Sequence, residues 1–354
     1  MRVWILLALA AVLTIPCHAA RRITVEELEQ AIASCEAAHQ SDASVARQLS
    51  EMELVERLST ARLERLKAGL QGVKAQTALL VLADSSVFLD PPATEILANS
   101  VPDQAALYRM MATVVNYLDT AIHQLPNFIA TREITGFENQ PPQLTSRSTT
   151  IVTYRDHQEV VEKADAKSKF HQPETPGLVT HGVFGPILST VLKDALTGSI
   201  RWGRWEAGTK DAVAVILYAV PLEKSHYSVW PRRSGSAINM SAGIETAEPV
   251  AYHGEIAFDP ASGAILRLVV VAEMPSDELL TRDDVVVEYG AMEIGGKSYI
   301  CPVRSVSLLI EHNPARYNEF PQRFLNDVVY RKYHRFGSES RILIPGTIEP
   351  AGNP

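Results

Sequence analysis

Residues 252–274 read YHGEIAFDPASGAILRLVVVAEM and decide how the fold is interpreted. Two runs rich in β-branched and aromatic residues are separated by Asp259-Pro260-Ala261-Ser262-Gly263, a pattern that favours a tight turn. Two similar runs follow, DDVVVEYGAMEI and KSYICPVRSVSLLI, joined by Gly295-Gly296. A Gly-Gly link suits a type I′ or II′ hairpin because both turn residues can take positive φ. Residues 252–310 are therefore predicted to form four consecutive antiparallel strands.

The alternating pattern of strands continues on both sides of this stretch. It predicts further strands at residues 127–135, 148–155, 158–163, 199–206, 212–220, 225–230 and 325–336, which brings the total to about eleven. One helix interrupts them, because Gly185-Pro186 favours a helix start and Gly198 favours a helix end. Pro302 cannot donate a hydrogen bond to a strand ladder, so we expect a sheet edge or a bulge there.

Several of these strands are apolar on both faces. Within residues 264–273, strict alternation places Leu266, Leu268 and Val270 on one face and Ile265, Val269 and Val271 on the other. Burial of both faces predicts a strongly curved sheet with a packed outside and an apolar inside, wrapped around helices or a ligand.

Residues 21–125 show the period of helices instead. Thr24 and Glu27 match a capping box for a first helix that reaches about His39. Further helices are predicted from Asp42 through Leu58, from Ser59 or Thr60 to Gly69, at 77–83, and from Asp103 to about Leu125. The chain is therefore predicted to be an α+β protein, with a helical domain at 21–125, an antiparallel half-barrel at 127–337 and a flexible tail at 338–354.

The N-terminus has the composition of a secretory signal peptide. Arg2 precedes an apolar run at residues 3–15, and small residues follow it. Cleavage near Ala19 is predicted, which would make the mature protein periplasmic or secreted. Lipid attachment at Cys17 is an alternative that Pro16 disfavours. No later segment reaches the length of a transmembrane helix.

The remaining cysteines, Cys35 and Cys301, leave two alternatives open. In an oxidising compartment they could form a disulfide between the helical part and the strand part of the chain. They could equally be two buried thiols, each packing as a small hydrophobic side chain.

Charge and motifs exclude several classes of function. The formal net charge of −8 argues against a general nucleic-acid-binding protein. The sequence has no nucleophile elbow, no phosphate-binding glycine loop and no HExxH or CxxC motif, so we predict no catalytic residues, no cofactor and no metal site. His171 with His181, Asp277-Glu278 and Asp283-Asp284 are the candidates for a metal or acid pair, and solvated surface residues are the preferred interpretation of each.

An apolar and aromatic surface is the main candidate for binding. Residues on neighbouring predicted strands could line a concave site without reactive groups, which suits binding better than catalysis. The residues predicted to line it are Trp202, Trp205, Tyr218, Trp230, Leu266, Leu268 and Val270. Cross-strand core packing is the alternative for each residue.

The chain resembles the periplasmic lipoprotein-carrier superfamily in three features. These are the hairpin at 252–268, the predicted export and the helix inserted among about eleven strands. That superfamily includes the outer-membrane lipoprotein chaperones and the sigma-E regulatory protein. The resemblance covers residues 127–337 and implies an incomplete barrel whose concave face receives acyl chains. Residues 21–125 have no counterpart in the simple carriers, and no ligand-contact residue can be transferred.

The whole chain is also similar to uncharacterised exported bacterial proteins that share four blocks. These are LADSSVFLDPP at 82–92, LPNFIATR at 125–132, RWGRWE at 201–206 and YICPVRSVS at 299–307. This similarity implies no function.

Three hypotheses of function result. The first is a non-catalytic envelope protein that holds a lipid, a lipidated protein or another amphiphile against its concave sheet. The second is a protein-interaction or sensor module of the cell envelope with a packed interior and no ligand. The third is an atypical envelope hydrolase, for which Arg267 and Glu255 are the nominated pair, although a cross-strand salt bridge is the preferred interpretation of that pair. An unfilled apolar cavity would distinguish the carrier from the sensor.

Overall fold

The computed structural model describes residues 20–139, 142–160, 183–209, 211–229, 248–274, 280–312 and 321–336. The chain separates into two compact units, one ending at Ala93 and the other beginning at Thr94. The predicted signal peptide at 1–19 and the predicted tail at 338–354 lie outside the described residues.

The first unit is mainly helical. Its helices are α1 (Val25–Ala37), α2 (Asp42–Ser50), α3 (Thr60–Gly69) and α4 (Val73–Ser86). Two short strands, β1 (Arg21–Ile23) and β2 (Met52–Leu54), pair in parallel. The unit has its own apolar core, in which Leu28, Leu49 and Leu79 are almost fully buried.

Local capping explains where these helices begin. The capping box predicted for α1 is present, because Thr24 accepts from the backbone of Glu27 and the Glu27 carboxylate accepts from the backbone of Thr24. The helix predicted from Asp42 through Leu58 ends at Ser50, since the chain then leaves the helix to form β2. Ser41 caps α2, whereas the Asp42 carboxylate accepts from the backbone N–H groups of Lys74 and Ala75 at the start of α4.

The second unit contains a large antiparallel sheet, which confirms the predicted α+β class. The helices of this unit are α5 (Gln104–Gln124) and α6 (Pro186–Thr197). Its strands are β3 (Ile96–Leu97), β4 (Phe128–Glu138), β5 (Gln143–Arg155), β6 (Gln158–Val160), β7 (Ser199–Ala207), β8 (Ala212–Val220), β9 (Ser228–Val229), β10 (Glu248–Pro249), β11 (Tyr252–Phe258), β12 (Ile265–Ala272), β13 (Leu280–Ile294), β14 (Lys297–Glu311) and β15 (Gln322–Arg335).

Eleven of these strands form one open sheet in the order β3-β7-β8-β11-β12-β13-β14-β15-β4-β5-β6. The four strands predicted from residues 252–310 are neighbours in sequence order, as expected of a meander. Both glycines of the Gly295-Gly296 turn take positive φ, which is the conformation that the predicted hairpin requires. The predicted strand at 225–230 is reduced to β9, which pairs with β10 in a separate two-stranded ribbon.

Helix α5 belongs to the sheet unit, whereas the sequence groups it with the preceding helices. Its residues Met111, Val114 and Leu118 are buried in the same core as the sheet residues. Gly263, in the β11–β12 turn, has a φ of +77°, and an added Cβ would meet the carbonyl oxygen of Thr113 at 2.5 Å. Close packing of the turn on α5 therefore depends on a residue without a side chain. We call the face that packs on α5 and α6 the inner face, and the opposite one the outer face.

β-Bulges change which side chains share a face. Ile265 pairs with Phe258 and Arg267 pairs with Ala257, so Leu266 is the extra residue of a bulge. Ile265 is consequently buried on the inner face with Leu268 and Val270, and Leu266 is not part of that core. The strict alternation predicted for this strand is therefore wrong at its first residues. The bulge expected at Pro302 is confirmed by a register shift between β13 and β14.

The outer face is also buried, as the sequence predicts. Val269, Val286 and Val306 pair across three strands and are 6%, 2% and 2% exposed. Beside them four charged side chains form a network: Arg204 contacts Glu206 and Glu255, and Arg267 contacts the same two carboxylates. The predicted Arg267–Glu255 salt bridge is confirmed, at 3.4 Å. Two positive and two negative charges compensate one another, which offsets the cost of burying them.

Candidate functional site

Three of the residues predicted to hold a ligand are part of the protein's own core. Tyr218, Leu268 and Val270 are at most 3% exposed, and they lie in one apolar cluster on the inner face. Side chains of α5 and α6, together with Val183 and Phe184, belong to the same cluster. The inner face of these strands is therefore packed against segments of the same chain.

The predicted tryptophans are only partly brought together. A bulge in β7 places Trp202 and Trp205 on the same face, with their ring centroids 4.8 Å apart. Trp205 Nε1 donates a hydrogen bond to the carbonyl oxygen of Ser100 at 2.9 Å, so its polar atom is already used within the chain. Trp230 lies outside the described residues, and Leu266 is half-buried without joining the apolar cluster.

Both predicted cysteines are free and buried. Cys35 lies in the core of the first unit, and Cys301 lies in the core of the sheet unit. Burial raises the pKa of the Cys301 thiol to about 12. Burial, and then the charge of Glu36, raise the pKa of Cys35. Of the two alternatives, the structure has the buried thiols and not the disulfide. The raised pKa values make both thiols poor nucleophiles.

A cluster that the sequence analysis did not identify lies where α6 ends. Asp194 is 1% exposed, and its carboxylate is the centre of three contacts. Oδ2 accepts from the backbone N–H of His226 at 2.8 Å and from the hydroxyl of Tyr252 at 2.9 Å. Oδ1 lies 2.7 Å from Nδ1 of the His226 ring. One buried carboxylate therefore fixes α6, the segment before β9 and the start of β11 to one another.

Aromatic rings surround this carboxylate. The ring of Tyr252 lies 5.8 Å from that of Tyr218 and 5.2 Å from that of Tyr227, measured between centroids. Tyr218 uses its hydroxyl to donate to the carbonyl oxygen of Val269 at 2.7 Å. Burial, followed by the hydrogen bond to Asp194, raises the pKa of Tyr252. The tyrosines are therefore neutral hydrogen-bond donors at physiological pH.

His226 is the accessible member of the cluster. Its side chain is 81% exposed, although the carboxylate that it contacts is 2% exposed. Contact of Nδ1 with a buried carboxylate orients the ring and leaves Nε2 to face outward, as in the orienting pair of many hydrolases. A hydrolase also needs a nucleophile and oxyanion donors beside Nε2. Within the described ranges, the His226 ring has Asp194 as its hydrogen-bonding partner.

A second buried carboxylate, Asp283, lies nearby on the inner face. It is 3% exposed, and it pairs in register with Leu309 on β14. Its Oδ1 has no hydrogen-bond partner in the part of the chain that the structure describes. Burial, and then the neighbouring charge of Asp284, raise the pKa of Asp283 to about 7.

Asp283 and Asp284 do not act as a pair. Successive residues of a strand point to opposite faces, so Asp284 lies on the outer face, where it contacts Arg282. Neither carboxylate is solvated, which makes the interpretation as surface acids wrong. Within the described ranges, no group of three or more His, Cys, Asp or Glu residues is arranged to hold a metal ion. The other candidates, His171, His181 and Asp277-Glu278, lie outside those ranges.

We expect Asp283 to make stability depend on pH. The folded protein keeps a proton that the unfolded chain releases, because the pKa of about 7 exceeds the ordinary value of 3.8. This contribution to stability is present below about pH 4 and is lost as the pH rises to about 7. Asp283→Asn should therefore raise the free energy of unfolding by about 2 to 4 kcal/mol at about pH 8 and change it little at about pH 4. Urea unfolding at both pH values measures this, and an equal effect at both would contradict it.

A weak signal for Asp194 is present in the sequence. It is a polar residue on the apolar stripe of α6, beside Val191 and Ala195, and it lies near the helix C-terminus. A carboxylate is unfavourable there because of the helix dipole, so its presence indicates a specific partner. Nothing local to residues 186–197 indicates that the partners are His226 and Tyr252.

Comparison of the chain with protein-family models, with curated proteins and with solved structures finds no match. The resemblance to the lipoprotein carriers stays a prediction. None of the helices in the described ranges combines the length and the apolarity that crossing a membrane requires.

Proposed function

We propose that this protein is an exported interaction module with a packed interior, rather than a carrier with an open acyl-chain cavity. The observation that carries this proposal is the occupation of the inner face by α5, α6 and Phe184. Leu268 and Val270, which an acyl chain would need to contact, are fully buried by the chain itself. A carrier would have to displace this core. The apolar surface exposed in this way would cost about 25 cal/mol of free energy per Å².

The surface around His226 is the part of the sheet unit that best fits a partner. We define it by Leu196, Leu222, Lys224 and His226. Leu196 and Leu222 are 51% and 55% exposed, and Lys224 donates to the carbonyl oxygen of Thr197 at 2.6 Å, which holds the segment against the end of α6. Exposed apolar side chains beside an oriented imidazole combine a contact area with a specific polar group. A surface held by such hydrogen bonds loses less entropy when it binds than an unrestrained segment would.

Native mass spectrometry of the detergent-free mature protein tests the packed interior. We expect the mass of the polypeptide alone and no binding of a fluorescent fatty acid. The physical reason is that α5, α6 and Phe184 already pack on the inner face, so an acyl chain could enter only if they moved aside. Co-purified lipid in an organic extract, with saturable binding of the probe, would instead support the carrier hypothesis.

Photo-crosslinking in cells tests the interaction surface. A benzoylphenylalanine placed at Leu222 should give a discrete crosslinked product, whereas the same residue placed at Tyr108 should not. Tyr108 is a matched control because it is 66% exposed and lies on α5 of the same unit. The substitution His226→Ala should weaken the product formed from position 222. Equal crosslinking from both positions would argue against a specific surface.

A further inference from the structure

Two of the places where the β9–β10 ribbon and the segment before it are held lie on α6 and on the sheet. At the first, the segment leading into β9 is held by the contacts of Asp194 with His226. At the second, Val229 and Val250 pack in a small apolar cluster with sheet residues of four strands. The sheet residues of this cluster are Ala272, Leu280, Leu309 and Phe324.

Asp283 lies at the second attachment. Its register partner Leu309 is a member of the cluster, and Phe324 is the next residue across in the same row. A carboxyl group whose Oδ1 lacks a partner is thus placed among apolar side chains that join the ribbon to the sheet. Such a group is tolerated when neutral, and it is costly when ionised because the apolar side chains around it do not stabilise the charge.

The charges that face Asp283 do not compensate it. On its own strand, Asp284 adds a second negative charge. From the segment before β9, Tyr227 packs against the same cluster, and its pKa is raised by burial first and then by Asp283 and Asp284. The facing residues of β14 and β15 are the apolar Leu309 and Phe324. Arg282 and His253 act on Asp284, on the other face, and neither contributes to Asp283.

We propose that Asp283 is a pH-sensitive switch that keeps the β9–β10 ribbon packed on the sheet when its carboxyl group is protonated and loosens the ribbon when that group ionises. Loosening separates Val229 and Val250 from Leu309 and Phe324, and it lets water reach the carboxylate. The movement is centred on the ribbon, because Asp194 continues to hold the segment before β9 to α6.

The consequence for binding rests on the proposed function. His226 and Leu222 precede the ribbon directly in the chain, so a loosened ribbon changes the freedom of the surface that they form. The surface is therefore more ordered, and better prepared for a partner, on the acidic side of neutrality.

Hydrogen exchange measured by mass spectrometry tests the switch without any partner. Wild type and Asp283→Asn are compared at about pH 5.5 and about pH 8.5, after correction for intrinsic exchange rates. At the lower pH, peptides that contain residues 225–229 and 248–251 should be equally protected in both proteins. At the higher pH, protection of these peptides in the wild type should fall about tenfold below that in the variant. A peptide from β4, at residues 128–138, serves as the internal control.

Three results would overturn the switch. These are equal ribbon protection in both proteins at both pH values, a loss of protection that also includes β4, and a variant whose ribbon still loosens at the higher pH. Should Asp283→Asn fold poorly, Asp283→Leu supplies the neutral side chain, and the ribbon and β4 of the wild type can be compared within one molecule. The crosslinking at Leu222 is read separately, so failure of the proposed function leaves the exchange result valid.

Discussion

Replacement of Gly254 with alanine is expected to destabilise the sheet unit by about 3 to 5 kcal/mol. An added Cβ would lie 1.9 Å from the carbonyl oxygen of Val269 and 2.9 Å from the hydroxyl of Tyr218. The nearer atom belongs to the backbone of β12, which hydrogen bonds hold on both sides, so it cannot move aside cheaply. The same carbonyl accepts the Tyr218 hydroxyl, and its displacement would also break that hydrogen bond. Urea unfolding measures the loss.

Two control variants identify the cause. Gly296→Asn should change stability by less than about 1 kcal/mol, because its φ of +79° suits asparagine and no atom lies within 4 Å of an added Cβ. Tyr218→Phe should cost about 1 kcal/mol by removing one hydrogen bond. Combining Tyr218→Phe with Gly254→Ala should restore little stability, since the backbone contact remains. A full rescue would show that the tyrosine hydroxyl, rather than the backbone, excludes the side chain.

Asp194→Ala is expected to cost a similar amount, about 3 to 5 kcal/mol. The substitution leaves the hydroxyl of Tyr252, which is 0% exposed, without its acceptor, and it also frees the backbone N–H of His226. Leaving a buried donor unpaired costs more free energy than a hydrogen bond contributes to stability. Thermal and urea unfolding of the variant give the magnitude.

The matched control for Asp194 is His226→Ala. Its ring is 81% exposed, so loss of the ring contact should cost about 1 kcal/mol or less. Tyr252→Phe should lie between the two, because it removes one of the three contacts and leaves no donor unpaired. If His226→Ala proved as destabilising as Asp194→Ala, the exposed ring and not the buried carboxylate would hold the segment.

Local patterns predicted the elements of this protein well where local chemistry decides them. Thr24 and Glu27 form their capping box, Gly185-Pro186 begins α6, and Gly295-Gly296 closes its hairpin. Each of these features depends on backbone groups within a few residues, so the sequence pattern contains the whole cause. The same holds for the Arg267–Glu255 salt bridge, which follows once two neighbouring strands pair.

The predictions failed where one residue changed a register. Bulges at Leu266 and between Trp202 and Arg204 shift alternate side chains to the other face, and the alternating pattern placed no bulge at either position, whereas Pro302 indicated one. Asp42 shows the same limit at a helix end. It begins the helix predicted from residue 42, yet its carboxylate caps α4 at Ala75, 33 positions further along the chain, and reaches it only through packing.

The sequence by itself determined the class of this protein, the meander at 252–310 and the two-sided burial of its strands, because periodicity and turn residues act locally. The tertiary structure alone decided that α5 and α6 fill the inner face and that Asp194 meets His226 and Tyr252. It also decided that Asp283 is buried on the inner face beside Leu309. The physical reason is that a side chain's pKa and partners depend on groups distant in sequence, which are brought together only when the strands pair and the helices pack.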